Sequence, residues 1–253
     1  MISRRRFLSC GLALLAGLFS PGLKSPWCAA FPQFFFSQIK YRGGEWDPNP
    51  QFVDAIVEEL ELRTSIKAAS ERRVISVDDP ALFFSPFLYL AGKHEFDPFT
   101  AQEREILRRF LTYGGFLFAE DTLGARGSGF DQAFNREMKQ IFPQHPLKRL
   151  PPEHPVYRSF YLVDSPGGRQ RVNPFLEGII LNNWTPVIYS QNDLSGAWSK
   201  DRFGKWVYDC LPGGEPQRAS AFKAGINIIV YSLTSDYKKD LVHHPFIQRR
   251  QNQ

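Results

Sequence analysis

Three side chains capable of acid–base chemistry stand directly behind apolar runs. His94 follows Phe87-Leu88-Tyr89-Leu90-Ala91-Gly92-Lys93, and Glu120-Asp121 follow Gly115-Phe116-Leu117-Phe118-Ala119. An imidazole titrates near neutrality and a carboxylate can take or deliver a proton, so His94 with Asp121 or Glu120 has the composition of an acid–base pair. Successive strand residues point to opposite faces, so one of the two carboxylates is expected in a crevice with His94. Asp121 is assigned there, with a cap on the following turn as its competing role. Polar residues also follow an earlier apolar run as Arg42-Gly43-Gly44-Glu45-Trp46, and a late loop carries Asp193 and Trp198. Trp46, Trp198 and Trp206 have the flat faces of an aromatic wall for a sugar or peptide, and equally the size for core packing or loop pinning.

Other motifs read as structure. Asp78-Asp79-Pro80 could suggest a metal, but an Asp before Pro is what a helix cap and first helical position look like. His154 before Pro155 and His243-His244 before Pro245 have no partner at metal-ligand spacing and are expected in surface loops. Gly43-Gly44 and Gly127-Ser128-Gly129 carry neither a phosphate-loop lysine nor a dinucleotide fingerprint. No serine sits in a nucleophile elbow, and Cys210 is expected to be an inert small hydrophobe. No cofactor motif is recognisable, so the cofactor is left unknown.

The elements that would position these groups follow from periodicity. Residues 34–41 read as a strand, stopped at Gly43-Gly44. A helix is expected to enter through Asn49 at its cap and Pro50 at its first position, with Phe52, Val53, Ile56, Val57 and Leu60 on its buried stripe. A short strand is expected over 74–77. Residues 87–91 and 115–119 are apolar on both alternating faces, as central strands covered on both sides must be. Between them Thr100 and Glu103 have capping-box spacing, and Ile106, Leu107, Phe110 and Leu111 mark a helix. This β-α-β unit makes the two strands parallel, with polar ends on one rim where an open sheet binds ligands. Helices are expected over 131–142 and 218–233, and a hairpin over 179–190 with its turn at 182–185.

Ser3-Arg4-Arg5-Arg6-Phe7-Leu8, a short apolar stretch over 12–19, and Trp27-Cys28-Ala29-Ala30 together fit a twin-arginine export signal over residues 1–30. The mature chain would begin at Phe31 and lie in the periplasm or another extracytoplasmic space, with the twin-arginine translocase as a partner. Four of the 31 Lys and Arg lie in that segment, which holds no acid, so 27 basic residues remain against 26 acidic. Such a balance leaves no electrostatic footprint for nucleic acid. Cys210 alone of the three cysteines remains after residue 30, which excludes an internal disulfide and a thiolate metal site. No segment is apolar for the roughly 20 residues that span a bilayer, so no transmembrane span is expected.

Lys40-Tyr41-Arg42-Gly43-Gly44-Glu45-Trp46, Asp78-Asp79-Pro80, Pro86 through Gly92, Gly114 through Asp121 and the stretch 193–198 resemble a bacterial family known as domain of unknown function 4159. The resemblance implies a class I glutamine amidotransferase-like fold in proteins often exported or attached to envelopes, and no established activity. In true amidotransferases a cysteine occupies the sharp turn after a central strand, where this chain has Asp121-Thr122. Lys93 also intervenes before His94, where glycine would directly precede histidine.

The resulting expectation is a single domain over 31–253: α/β, three-layer α/β/α, with a mainly parallel flavodoxin-like sheet and a C-terminal loop-rich β-hairpin extension. It is expected to bind an unknown envelope ligand or protein at the strand-end crevice, lined by Arg42, Glu45, Trp46, His94, Glu120, Asp121, Asp193 and Trp198. The alternative is a hydrolase in which His94 and Asp121 or Glu120 activate water, directly or through a metal. A structural envelope component with a vestigial crevice is the third reading.

Overall fold

Phe87-Leu88-Tyr89-Leu90-Ala91 has no polar face to offer water, so a strand of this composition is stable only with both faces covered. In the computed structural model, which describes residues 33–234, every residue of that strand is buried. The strands are β1 (Ser37–Ile39), β2 (Arg73–Ile75), β3 (Phe87–Gly92), β4 (Phe116–Asp121), β5 (Lys148–Arg149), β6 (Glu177–Leu181) and β7 (Trp184–Ser190). The helices are α1 (Val53–Arg63), α2 (Ala101–Thr112), α3 (Gly129–Ile141), α4 (Leu194–Trp198) and α5 (Gly214–Thr234). The expected export signal, with Cys10 and Cys28, and His243, His244 and the basic tail lie outside the described residues.

One mixed seven-stranded sheet runs in the order β2-β1-β3-β4-β7-β6-β5. The first five are mutually parallel, and β6 and β5 continue antiparallel at the edge. Alternate side chains feed two cores. Phe36, Tyr89, Phe118 and Ile188 pack with Phe52 and Ile56 of α1 and Ala221 and Ile228 of α5. Leu88, Leu90, Leu117 and Val187 pack with Leu107 and Phe110 of α2 and Phe134 and Met138 of α3. Among the described residues no helix is long and apolar enough to cross a membrane.

Local signals held where the chain has only itself to satisfy. Thr100 and Glu103 form the reciprocal capping box of α2. Asp79 accepts from the Ala81 N–H at 2.8 Å and Pro80 opens a 3₁₀ turn, Pro80–Phe84. Three expectations need correction. The hairpin forms over β6 and β7 around Asn182-Asn183, but β7 pairs with β4 inside the parallel sheet and is not part of an extension. Asn49 does not cap α1, which starts at Val53; its side chain is drawn to other partners. His154 is buried rather than on a surface loop: its Nδ1 accepts from the Val156 N–H at 3.2 Å and its Nε2 lies 3.0 Å from the Thr185 hydroxyl. Nδ1 is therefore the acceptor and Nε2 carries the proton. Burial first, and the charge of Arg158 second, lower the pKa to about 4, so the ring is neutral.

Candidate functional site

Glu120 and Asp121 close β4, and strand alternation sends them to opposite sides of the sheet. Glu120 shares the face of Phe118 and Tyr89, toward α4 and α5; Asp121 shares the other, toward α2 and α3. Both are fully buried, and their partners differ in kind.

Asp121 is engaged locally. Its Oδ1 accepts from the Leu123 N–H at 2.8 Å and its Oδ2 from the Ala125 N–H at 2.9 Å, so it shapes the turn that leaves the strand. Burial pushes its carboxyl up, against the pull of these N–H groups.

Glu120 is engaged across the chain. Its Oε2 accepts from the Leu194 N–H at 2.8 Å, its Oε1 from the Ser195 N–H at 3.2 Å, and the Tyr89 hydroxyl donates to Oε1 in a short hydrogen bond. Next to it Asp193 sits in the left-handed region at φ 56°, where Asp is among the few residues tolerated. Asp193 Oδ1 takes the Gly196 N–H at 3.0 Å and the Asn49 side-chain amide at 2.8 Å, and its Oδ2 takes Arg169 Nε. Asn49 also donates to the Ser195 hydroxyl at 2.8 Å. Thus the loop before α1, the body of β3, the end of β4 and the turn after β7 supply Asn49, Tyr89, Glu120 and Asp193 to one buried cluster.

A strap over 166–173 closes that cluster. Asn192 holds it through its own Nδ2, which donates to the carbonyls of Pro166 at 2.9 Å and Asn173 at 2.7 Å. A Cβ on Gly168 would lie 1.9 Å from the Asn192 carbonyl oxygen, so only glycine fits there. Arg169 rides on the strap, donates to the Thr122 carbonyl at 2.9 Å, and leaves a quarter of its side chain exposed. Two carboxylates face one guanidinium, a surplus of negative charge. Desolvation, then the field of Asp193, raises the Glu120 carboxyl to about 7, while desolvation also raises Asp193 against the opposing field of Arg169. The cluster can hold and release a proton near neutrality. It also ties α4 to the sheet.

The remaining expected residues lie elsewhere. Arg42 makes a bidentate ion pair with Glu103 at 3.0 Å, joining the loop after β1 to the start of α2. Glu45 meets Lys93 at 3.3 Å, next to His94, which is exposed and makes no side-chain hydrogen bond among the described residues. Trp46 is half-buried with Lys40 and Arg72 over its ring at 5.5 and 5.8 Å. Trp198 is 1% exposed, packed on Phe52 and Phe222 in the core. The structure therefore brings Glu45, Lys93 and His94 together on the surface and Glu120 with Asp193 in the interior, and joins Asp121 to neither set. Among the described residues no group of three His, Cys, Asp or Glu could hold a metal ion. A groove of about 320 Å³ between α1 and α5 is walled by Trp206, Phe222 and Arg218; of the residues singled out in the sequence it contains Trp206 alone.

Asn49, Tyr89 and Arg169 escaped sequence reasoning. Asn49 stood before Pro50 as an apparent cap, Tyr89 was one of five apolar letters in a central strand, and Arg169 lay in a Pro/Gly-rich loop. No curated protein matches the chain. A family model described as domain of unknown function (DUF4159) matches residues 35–233, and the chain belongs to that family.

Proposed function

We propose that the chain is an exported, class I glutamine amidotransferase-like domain that lacks a thiol nucleophile and binds a ligand or protein of the cell envelope at the carboxyl rim of its sheet. The parallel run β2-β1-β3-β4-β7 supports a flavodoxin-like, three-layer α/β/α assignment, with β6 and β5 as edge additions. The observation that carries the binding reading is the end of β4. On the amidotransferase-like reading Asp121 and Thr122 take the place of the cysteine, and both Asp121 oxygens are taken by the turn's own N–H groups. Cys210 offers no substitute, because it is 1% exposed and burial pushes its thiol pKa up. Exposed Arg42 and His94, with half-buried Glu45 and Trp46, are the surface offered to a partner. Export through the twin-arginine translocase to the periplasm rests on Ser3-Arg4-Arg5-Arg6-Phe7-Leu8.

Complementation of a deletion strain tests this reading. A chain with Trp46→Ala and His94→Ala is expected to fold and be exported yet fail to restore function, and full restoration would sink the placement. Arg4→Lys with Arg5→Lys is expected to leave the protein in the cytoplasm.

A water-activating hydrolase is the second reading, because Glu120 sits buried beside Asp193 at the end of β4, where burial and the field of Asp193 raise its carboxyl toward the range of a general base. The strap over 166–173 would have to open to admit a substrate. Turnover of an ester, amide or glycoside, with or without stoichiometric zinc or manganese, would favour this reading, and its loss in Glu120→Gln would assign the base.

A further inference from the structure

The strap that covers Glu120 and Asp193 is held down by polar contacts, not by a core. Val163 and Leu176 on either side belong to the core packed on α1 and α5, and no residue between them belongs to either core. Its middle, Gly167-Gly168-Arg169-Gln170-Arg171, has no apolar side chain. A segment with so little apolar anchorage opens at lower cost than the sheet beneath it.

The contacts converge on the turn after β7 and the start of α5. The Arg169 and Gln170 N–H groups donate to the carbonyls of Asp193 at 2.8 Å and Asn192 at 3.1 Å, and the Val172 and Asn173 N–H groups share Asn192 Oδ1 at 2.9 and 2.8 Å. Gln217 Nε2 donates to the Gly168 carbonyl at 2.7 Å. Arg169 with Asp193 is the one ion pair that this segment makes among the described residues.

Charge beneath the strap balances only with a proton. Glu120 and Asp193 are buried, and Arg169 is the guanidinium that meets them. If the two carboxyls share one proton, the enclosed cluster is neutral; without it a net negative charge is shut away from water, which is costly. No other facing group supplies the missing charge. The Tyr89 hydroxyl donates to Glu120 and is kept protonated by burial and by that carboxylate's field. Burial likewise holds the Cys210 thiol protonated, and the Tyr208 ring lies 5.2 Å from the Arg169 guanidinium. Arg218 is committed to Glu215 and to the carbonyls of Ala197 and Tyr208.

We propose that residues 166–173 form a lid that is closed while Glu120 and Asp193 share one proton and opens with the loss of that proton. Opening admits water, which solvates the second carboxylate. Burial first, and Asp193 second, raise the enclosed Glu120 carboxyl from 4.5 to about 7, so the closed state binds the extra proton. Closure is therefore strongest below 4.5 and weakens as pH rises toward 7. The lid is independent of the partner surface at Arg42, Glu45, Trp46 and His94, and it holds whether or not Glu120 acts on a substrate.

Amide hydrogen exchange on the full chain tests the lid, read at Arg169, Gln170, Val172 and Asn173 from pH 5 to 8 and corrected for the intrinsic pH dependence of exchange. Linkage to one proton makes the opening constant rise about tenfold per pH unit between 5 and 7 and level off above 7. Amides of β3 and β4 are expected to exchange more slowly than the lid throughout, which separates lid opening from global unfolding. Glu120→Gln, which keeps the cluster neutral, is expected to flatten the profile of the lid. A wild-type lid whose opening is independent of pH overturns the proposal, and this arm needs no variant to fold. Lid amides that exchange no faster than those of β3 and β4, or a Glu120→Gln chain that keeps the wild-type slope, overturn it as well.

Discussion

Glu120 and Asp121 are neighbours in sequence, equally buried, and chemically alike, yet they belong to different kinds of structure. Asp121 bonds to residues two and four positions away, within the turn it caps. Glu120 bonds to Leu194 and Ser195, more than seventy positions away, and through Asp193 reaches Asn49 and Arg169. One face of the sheet thus ends in a local turn, and the other in a network joining β3 and β4 to the turn after β7 and the loop before α1. A carboxylate's identity says little about its role when one step along a strand changes every partner it has.

If the network is what holds α4 and the strap to the sheet, Glu120→Ala should be the most damaging substitution at this rim. It orphans the Leu194 and Ser195 N–H groups and the Tyr89 hydroxyl, and a loss of about 3–5 kcal/mol in chemical denaturation is expected. A loss no larger than that of an ordinary surface substitution would erase the contrast with Asp121.

The pH dependence sharpens the comparison. Because the folded-state pKa of Glu120 is raised from 4.5 to about 7, the native state binds more protons than the unfolded chain in that interval. Its contribution is complete below 4.5 and is lost as pH rises through 7, a fall on the order of 3 kcal/mol. Neutral His154 works in the opposite direction, its pKa being lowered from 6.5 to about 4, so stability grows as pH rises through that window. The two oppose each other in the wild type. Glu120→Gln should remove the Glu120 step, so that stability falls less between pH 4.5 and 7 than it does in the wild type; an unchanged profile would show that Glu120 is not the titrating group.

Asp121→Ala should cost about 1–2 kcal/mol, the scale of a lost cap, without altering the pH profile found for Glu120. Smallest of all, His94→Ala should shift stability by less than about 0.5 kcal/mol, because its exposed ring is in no side-chain hydrogen bond among the described residues. Any effect of His94→Ala on function would then be read as lost recognition rather than lost fold.

Much of the fold was legible because it depends on short-range rules. Thr100 and Glu103 announce a helix start, Asp79-Pro80 a 3₁₀ turn, and the uninterrupted apolar letters of β3 and β4 a sheet covered on both sides. The place of β7 was not legible, since a hairpin is a local event and insertion beside β4 is a long-range pairing. Asn49 misled for the same reason. Before Pro50 it has the composition of a helix cap, and Asp193, 144 residues later, supplies a partner that no local pattern contains.

The order of amino acids by itself determined the alternation that separates Glu120 from Asp121, the parallel pairing of β3 with β4, and the absence of any thiol behind β4. Tertiary structure alone decided which carboxylate would face Asp193 and lose its solvent, and with it which one would hold a proton near neutrality. The physical reason is that polarity and period are properties of a segment, whereas desolvation and the field of a neighbouring charge arise only when distant segments close over one another.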